Sequence, residues 1–199
     1  MSYNVIAIER EYASGGLEVG EKLAGKLGVP CYNRQILDKA AVKLKLPSER
    51  LSKVEESISG SLLFGLAAFA NAASGEWTEL MSVEQRLIAA ETSVIRELAL
   101  QPCVIIGRSA AAILKDRQSV LKAFIHADNE ARAERAVSAY HIDPKQAESV
   151  LQWNDKRRSN YFKAAANLSW KDADLYHAFL NCGMLGIERT ADILYAMAQ

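Results

Sequence analysis

The sequence predicts an α/β fold: a five-stranded parallel sheet covered by helices on both faces. Three observations lead there. Five short segments, YNVIAI (3–8), VPCY (29–32), PCVIIG (102–107), VLKAFIHA (120–127) and LYHAFLNC (175–182), are largely continuous apolar runs, the pattern of strands buried on both sides. The longer stretches between them read as helices. Strands that alternate with helices build a parallel sheet by crossover connections.

The elements follow in order. The first strand ends at Ile8. A helix over 16–27 places Leu17, Val19, Leu23, Ala24 and Leu27 on its inner side, with Gly28 as its stop. After the second strand, residues 33–46 read as a helix with Asn33 as N-cap, and Pro47 with Ser48 opens the next, PSERLSKVEES. Residues 58–80 are rich in Gly, Ala and Ser but too apolar for a solvated coil, so 57–81 reads as a helical excursion. Ser82 and Gln85 make a capping-box pattern that opens a helix to about Leu100. Helices over 108–115, 129–140, 143–166 and 186–198 fill the remaining gaps. No internal repeat or low-complexity tract divides the 199 residues, which read as one domain.

Composition excludes several function classes. Lys plus Arg equals Asp plus Glu at 24 each, which argues against a general nucleic-acid binder. Cys31, Cys103 and Cys182 are too few and too scattered for a disulfide framework or a zinc site, and read as small buried hydrophobes in a reducing cytosol. The most apolar stretch, LLFGLAAFANAA (62–73), is too short to span a bilayer. No signal peptide opens the chain. The expectation is a cytoplasmic protein with no membrane partner.

Parallel sheets bind ligands beyond the C-terminal ends of their strands, here after Ile8, Tyr32, Gly107, Ala127 and Cys182. After Ile8 comes EREYASGGLEVG, a strand, a turn with adjacent glycines and a helix start. Such a helix N-terminus directs free N–H groups and a positive dipole end at an anion. Against the phosphate-loop pattern G-x-x-x-x-G-K-[ST], Arg10 stands at the first glycine, Gly15 at the second, Gly16 at the lysine and Leu17 at the hydroxyl residue. A tight turn with no ligand fits the local residues as well. Arg108 follows the third strand, where a guanidinium can grip a phosphate bidentately. After the fourth, Asp128 or Asn129 can cap a helix. Arg132 and Arg135 lie one turn apart on it, either aimed at a ligand or paired with Glu130 and Glu134 on a solvated face. The segment WNDKRRSNYFK gathers Lys156, Arg157, Arg158 and Lys163. Phosphoryl transfer needs such cations, because its transition state spreads negative charge over the transferred oxygens.

In this order IEREYASGG, VPCYNRQILDKAA, CVIIGRSAAAILKDR, VLKAFIHADNEARAERA, NDKRRSNYFK and LGIERTADIL resemble the cytidylate kinase-like family, a branch of the P-loop nucleoside monophosphate kinases. The resemblance covers nearly the whole chain and is weakest over 58–80. It implies a P-loop NTPase three-layer sandwich with a helical acceptor-binding lobe and a lid over 143–170. It implies ATP and Mg2+, and transfer of the γ-phosphoryl group to a nucleoside monophosphate or a related small phosphate acceptor. By position, Ser14, Gly15 and Gly16 would cradle the donor phosphates, with Arg10, Leu17 and Glu18 completing that loop. Arg108 would hold the acceptor phosphate, and Asp155, Arg157 and Arg158 would belong to the catalytic lid. Tyr32 and Arg34 would face the acceptor, with Arg132 at the root of the lid.

The departures from the family pattern SREYGSGGRE are specific. Glu9 replaces Ser, Ala13 replaces Gly and Leu17 replaces Arg, so the cation that could stand in for the absent lysine is itself absent. Ile106 replaces an acidic residue, His177 an aspartate, and the later lid tyrosines are Ala164, Ala165 and Ala166. No hydroxyl at position 17 awaits a metal. Glu9, Glu11 and Glu18 are the nearby carboxylates, and Lys22, one turn into the helix, is the nearest lysine that could reach back. Three function classes follow: a kinase-like enzyme, a non-catalytic nucleotide or anion binder acting as sensor or partner protein, and an interaction domain with no ligand. An apolar 61–73 segment suits a self-association surface, hence a homodimer. Convergence of at least two cations on the loop separates the first class from the second.

Overall fold

The computed structural model describes residues 3–59 and 81–199. Five parallel strands run in the order β2-β3-β1-β4-β5. They are β1 (Val5–Arg10), β2 (Cys31–Tyr32), β3 (Cys103–Ile106), β4 (Val120–His126) and β5 (Ala178–Asn181). The described helices, in chain order, are α1 (Gly16–Leu27), α2 (Gln35–Leu44), α3 (Ser48–Ser57), α4 (Val83–Leu98), α5 (Ala110–Ile113), α6 (Asn129–Ser138), α7 (Ala147–Ala166), α8 (Cys182–Leu185) and α9 (Ile187–Ala198).

Strand alternation makes the layers. Val5 and Ala7 enter one core with Val94 and Ile95 of α4, Phe124, and Phe162 of α7. Ile6 and Ile8 enter the opposite core with Val19 and Leu23 of α1 and Leu194 of α9. The sheet is therefore sandwiched, as the continuous apolar runs predict. A third cluster joins α2, α3, α4 and α7 through Leu37, Leu51, Leu87, Ile88 and Tyr161. A fourth, Ala13 with Ala136 and Leu151, seats α6 and α7 against the loop after β1.

Several boundaries differ from the sequence reading, and two differences shape the site. β1 runs past Ile8, because Glu9 and Arg10 keep pairing with Phe124 and Ile125 of β4 although their side chains are charged. The helix expected over 108–115 contracts to α5. Gly107, Arg108 and Ser109 all take left-handed backbone, with φ of 74°, 54° and 58°, so the chain turns sharply before any helix starts. Asn33 does not cap α2. Arg34 occupies the cap position with helical dihedrals, while the Asn33 N–H donates to Gln35 Oε1 at 3.0 Å. The helix expected from 143 starts at Ala147, and the one expected from 186 starts at Ile187, after the single turn of α8.

The Ser82–Gln85 capping box forms, with Gln85 N–H donating to Ser82 Oγ at 3.3 Å and Ser82 N–H to Gln85 Oε1 at 2.9 Å. Cys103 and Cys182 are buried, Cys31 is half-buried, and all three are free thiols. Most of the 57–81 excursion, including the apolar 61–73 segment, lies outside the described residues. Among the described residues no helix is long and apolar enough to cross a membrane.

Phe124 anchors the far side of β4, edge-on to Trp170 and Tyr176 (centroids 5.2 and 5.3 Å) and stacked on Phe179 at 4.6 Å. Phe124→Ala is expected to cost about 3–5 kcal/mol. At ~2–4 °C per kcal/mol for a chain of this size, calorimetry would show a melting temperature lower by roughly 6–20 °C.

Candidate functional site

The loop after β1 is held from three sides. The Glu11 N–H donates to the Ile125 carbonyl at 3.0 Å, and Glu11 Oε2 accepts the Ala127 N–H at 3.3 Å. The Ser14 hydroxyl lies 2.9 Å from the Glu11 carbonyl and 3.1 Å from that of Ile125, so it donates into the protein rather than toward the loop's mouth. Buried Arg132 does the rest. Its Nε donates to the Tyr12 carbonyl at 2.9 Å, Nη1 pairs with Glu11 at 3.2 Å, and Nη2 pairs with Asp155. Asp155 Oδ1 in turn accepts the Tyr12 N–H at 2.7 Å. Arg132 therefore faces no solvated Glu130 or Glu134, and it is not free to bind an acceptor. Asp155 is a positioning residue that fastens α7 to the loop. Arg135 pairs with Glu18 at 3.5 Å instead of with its own helix neighbours.

Gly15 sits at φ 87° as the N-cap of α1, whose first-turn N–H groups have no intrahelical acceptors. Ala13 takes φ 56°, in the left-handed region. A cavity of about 280 Å³ opens here, lined by residues 10–17 with Asn33, Tyr140 and Arg158. Leu17 contributes only apolar surface. Lys22 does not reach back: it pairs with Glu188 on the outer surface. Glu18 accepts the Tyr140 hydroxyl at 3.2 Å.

A second cavity, about 190 Å³, adjoins the first. Arg10, Asn33 and Arg158 belong to both walls. Its remaining wall includes Glu9, Glu55, Arg108, Ser109, Arg157 and Tyr161. Asn154, Arg158 and Tyr161 lie at i, i+4 and i+7 of α7 and so share one stripe facing the opening.

The four arginines here are not equivalent. Arg108 Nη1 pairs with Glu55 at 2.8 Å and with Glu91, and Glu91 also accepts the Tyr161 hydroxyl. Burial works against the Arg108 charge, but Glu91 and Glu55 outweigh it and hold the guanidinium above its ordinary value. Burial likewise pushes the Glu91 carboxyl up, against the pull of Arg108. Arg157 pairs with Glu56 at 3.4 Å and lies over the Trp153 ring at 4.4 Å. Arg10 and Arg158 have neutral partners. Arg10 Nη2 donates to Asn33 Oδ1 at 3.5 Å, and Arg158 Nη1 donates to the Arg10 carbonyl at 2.9 Å beside the Tyr12 ring. Burial and the neighbouring Arg10 lower Arg158 to about 9, and burial lowers Arg10 too. Arg158 stays charged near neutrality.

Glu9 is the matching anomaly. Its side chain is buried, Oε1 has no hydrogen-bond partner, and the indole N–H of Trp170 attracts it without completing a bond. Burial raises its carboxyl to about 7 despite Arg10, Trp170 and Arg158.

The structure thus brings Arg10, Arg108, Arg157 and Arg158 to one place, and sets Ser14, Gly15, Gly16 and Leu17 next to it. It does not bring Tyr32 or Arg34 to either wall. Side chains alternate through the short β2, so Tyr32 packs on the core, Asn33 faces the opening and Arg34 is exposed. Sequence reasoning missed Asn33, Glu55, Glu91, Asn154, Tyr140 and Tyr161. Glu91 alone carried a signal, as a carboxylate within the apolar stripe of Leu87, Ile88, Val94 and Ile95. Among the described residues no group of three His, Cys, Asp or Glu side chains could hold a metal.

A parallel sheet in this strand order, with an anion loop after the central strand and cations gathered from the next strand's turn and a long helix, defines a P-loop kinase fold. The chain belongs to the cytidylate kinase-like family, whose sequence model matches residues 5–183. An uncharacterized protein from Eubacterium ventriosum ATCC 27560 shares the fold with a TM-score of 0.72 at 23% identity, over 98% of this chain and 97% of that one. A shikimate kinase from Acinetobacter baumannii, solved with shikimate, gives 0.53 at 14% identity, over 98% and 92%. One from Bacteroides thetaiotaomicron gives 0.52 at 13%, over 97% of each chain. No curated protein matches the chain by sequence.

Two predictions follow from this geometry. A Cβ on Gly107 would stand 1.8 Å from Arg10 Nη1, at a residue with φ 74°. Gly107→Ala is expected to cost about 1–3 kcal/mol. Arg10→Met should recover the steric share, so a double-mutant cycle in urea should be non-additive by about 0.5–3 kcal/mol. The second concerns pH. Glu9 has a folded pKa near 7 against an ordinary 4.5, so the fold favours its neutral form. That group costs stability as pH rises through this window, by about 3 kcal/mol at 1.36 kcal/mol per unit. Glu9→Gln should gain on wild type in thermal melts as pH rises from 4.5 to about 7, with the difference constant at higher pH.

Proposed function

We propose that the protein binds ATP across the loop after β1 and transfers its γ-phosphoryl group to a nucleoside monophosphate or another small acceptor held in the adjoining cavity. One observation carries the reading: Arg10 and Arg158, two half-buried guanidinium groups whose hydrogen bonds go to neutral acceptors and which form no ion pair among the described residues, stand where the two cavities meet. Buried charges without counter-charges are costly, and a bound polyanion would offset that cost. The junction is where a transferred group must pass. Cations there neutralise the charge of the transition state, which is most of what such catalysis requires.

The loop's N–H groups would take the donor phosphates, and Arg108 and Arg157 would orient the acceptor's anionic group. Magnesium would arrive on the nucleotide's phosphates. Leu17 offers it no oxygen and the Ser14 hydroxyl is turned inward, so neither position supplies it a ligand. The family and the likeness to shikimate kinases support a small acceptor beside the loop, and a cytoplasmic setting accords with three free thiols.

The test is a thermal-shift and phosphoryl-transfer panel, ATP and GTP against each nucleoside monophosphate and against small hydroxyl acids. ATP should stabilise the wild type, and Arg10→Met or Arg158→Met should reduce transfer by about 10²- to 10³-fold each. Stabilisation without turnover would leave a nucleotide-binding partner protein. No stabilisation by any nucleotide would end both readings.

A further inference from the structure

The second cavity contains a group that phosphoryl transfer to a monophosphate does not use. Glu9 lines it, and its Oε1 is buried with no completed hydrogen bond, the indole N–H of Trp170 beside it being likewise unpaired. An orphaned buried acceptor of this kind costs about 1–3 kcal/mol. A phosphate oxygen cannot relieve it, since at neutral pH it has little proton to give and repels a carboxylate. A neutral hydroxyl can, because it donates a hydrogen bond and must lose that same proton to become a nucleophile.

We propose that Glu9 is the proton acceptor of the reaction, and that the acceptor is therefore a small anionic molecule phosphorylated on a hydroxyl group. This rests on the kinase reading above. Other orphaned atoms fit the molecule's anionic end: Arg108 Nε, Arg157 Nε and the Ser109 hydroxyl are also buried without partners, on the wall of the same cavity. The step balances. The hydroxyl oxygen forms a bond to the γ-phosphorus as the bond from that phosphorus to the β,γ-bridging oxygen breaks. ADP leaves with that electron pair, the hydroxyl proton moves to Glu9, and Glu9 returns it to water after product release.

Glu9 is surrounded by groups that set its charge. Arg10 lies beside it on β1, Arg158 approaches from α7, and Trp170 and the Ala111 amide close the inner side. The Tyr176 hydroxyl, near enough to feel its charge, is itself neutral and donates to the Trp170 carbonyl at 2.7 Å. Arg108 across the cavity is already matched by Glu55 and Glu91.

The test compares wild type, Glu9→Gln and Glu9→Asp with ATP and two acceptor sets. The first holds D-glycerate, glycerol 3-phosphate and shikimate; the second holds CMP and the other monophosphates. Transfer to the hydroxyl set is expected, falling by about 10²- to 10⁴-fold in Glu9→Gln, with partial recovery in Glu9→Asp. The wild-type rate should climb with pH and level off above about 7. That limb should vanish in Glu9→Gln, whose ATP-induced thermal shift stays at the wild-type value. Transfer to monophosphates alone, unchanged in Glu9→Gln, overturns this inference and leaves the kinase reading standing. Equal hydroxyl transfer by wild type and Glu9→Gln does the same. No transfer to either set overturns both.

Discussion

The site depends on one buried clamp. Arg132 reaches from α6 to the Tyr12 carbonyl and to the carboxylates of Glu11 and Asp155, and so fixes the loop after β1, the helix after β4 and the long α7 in one arrangement. Its full set of charge-assisted contacts matters because breaking a buried ion pair by removing one partner is far more costly than the pair's net worth. Asp155 closes the circuit through the Tyr12 N–H. With Tyr12 tied at both its N–H and its carbonyl, the loop cannot collapse onto the space that its glycines keep open. α7 is then anchored so that its Asn154–Arg158–Tyr161 stripe faces the opening.

The charges around that opening are divided by function. Arg108, Arg132 and Arg157 each have a carboxylate within an ion-pairing distance, which makes them inexpensive to bury and fixes where they point. Arg10 and Arg158 hydrogen-bond only to neutral acceptors, and Oε1 of Glu9 has no partner. A protein that only needed stability would pair these three with one another. Instead the three lie near enough to feel one another's charge without forming an ion pair, at the meeting point of two cavities. The same uncompensated burial shifts Glu9 and Arg158 toward the range in which a proton can move.

The sheet was legible because its information is local. Each strand is an apolar run a few residues long, and alternation with helices leaves few topologies. The capping box at Ser82 and Gln85 is equally local, and it forms. The site was legible in part. Arg10, Arg108, Arg157 and Arg158 were visible as cations at strand ends and in one basic segment. Their inequality was not, because it is decided by partners such as Glu55, Glu91 and Asn33 that lie 17 to 53 positions away along the chain. Arg132 shows the same limit: two glutamates on its own helix invite a surface reading, and only the approach of Glu11 and Asp155 makes it a buried clamp. Glu9 and Arg10 were assigned to a turn because charge ended the apolar pattern, whereas backbone pairing with β4 carries on through both.

That two-residue extension of β1 explains the missing lysine. In an ordinary phosphate loop the cation comes from the start of the helix, at the position held here by Gly16. A Cβ on Gly16 would lie 2.5 Å from Arg10 Cβ, an atom fixed by the strand backbone, and 2.9 Å from Arg10 Cγ. No side chain can occupy that position while Arg10 takes its present path. Gly107 clears the other end of the path, since its absent Cβ leaves room for the guanidinium. Arg10, Gly16 and Gly107 are thus one arrangement in which the cation is delivered from the strand below the loop instead of from the helix beyond it. Such a cation approaches from the side of the second cavity, and Leu17 then has no charge to replace. The positive charge beside the loop therefore stands on the side of the second cavity, not at the start of the helix.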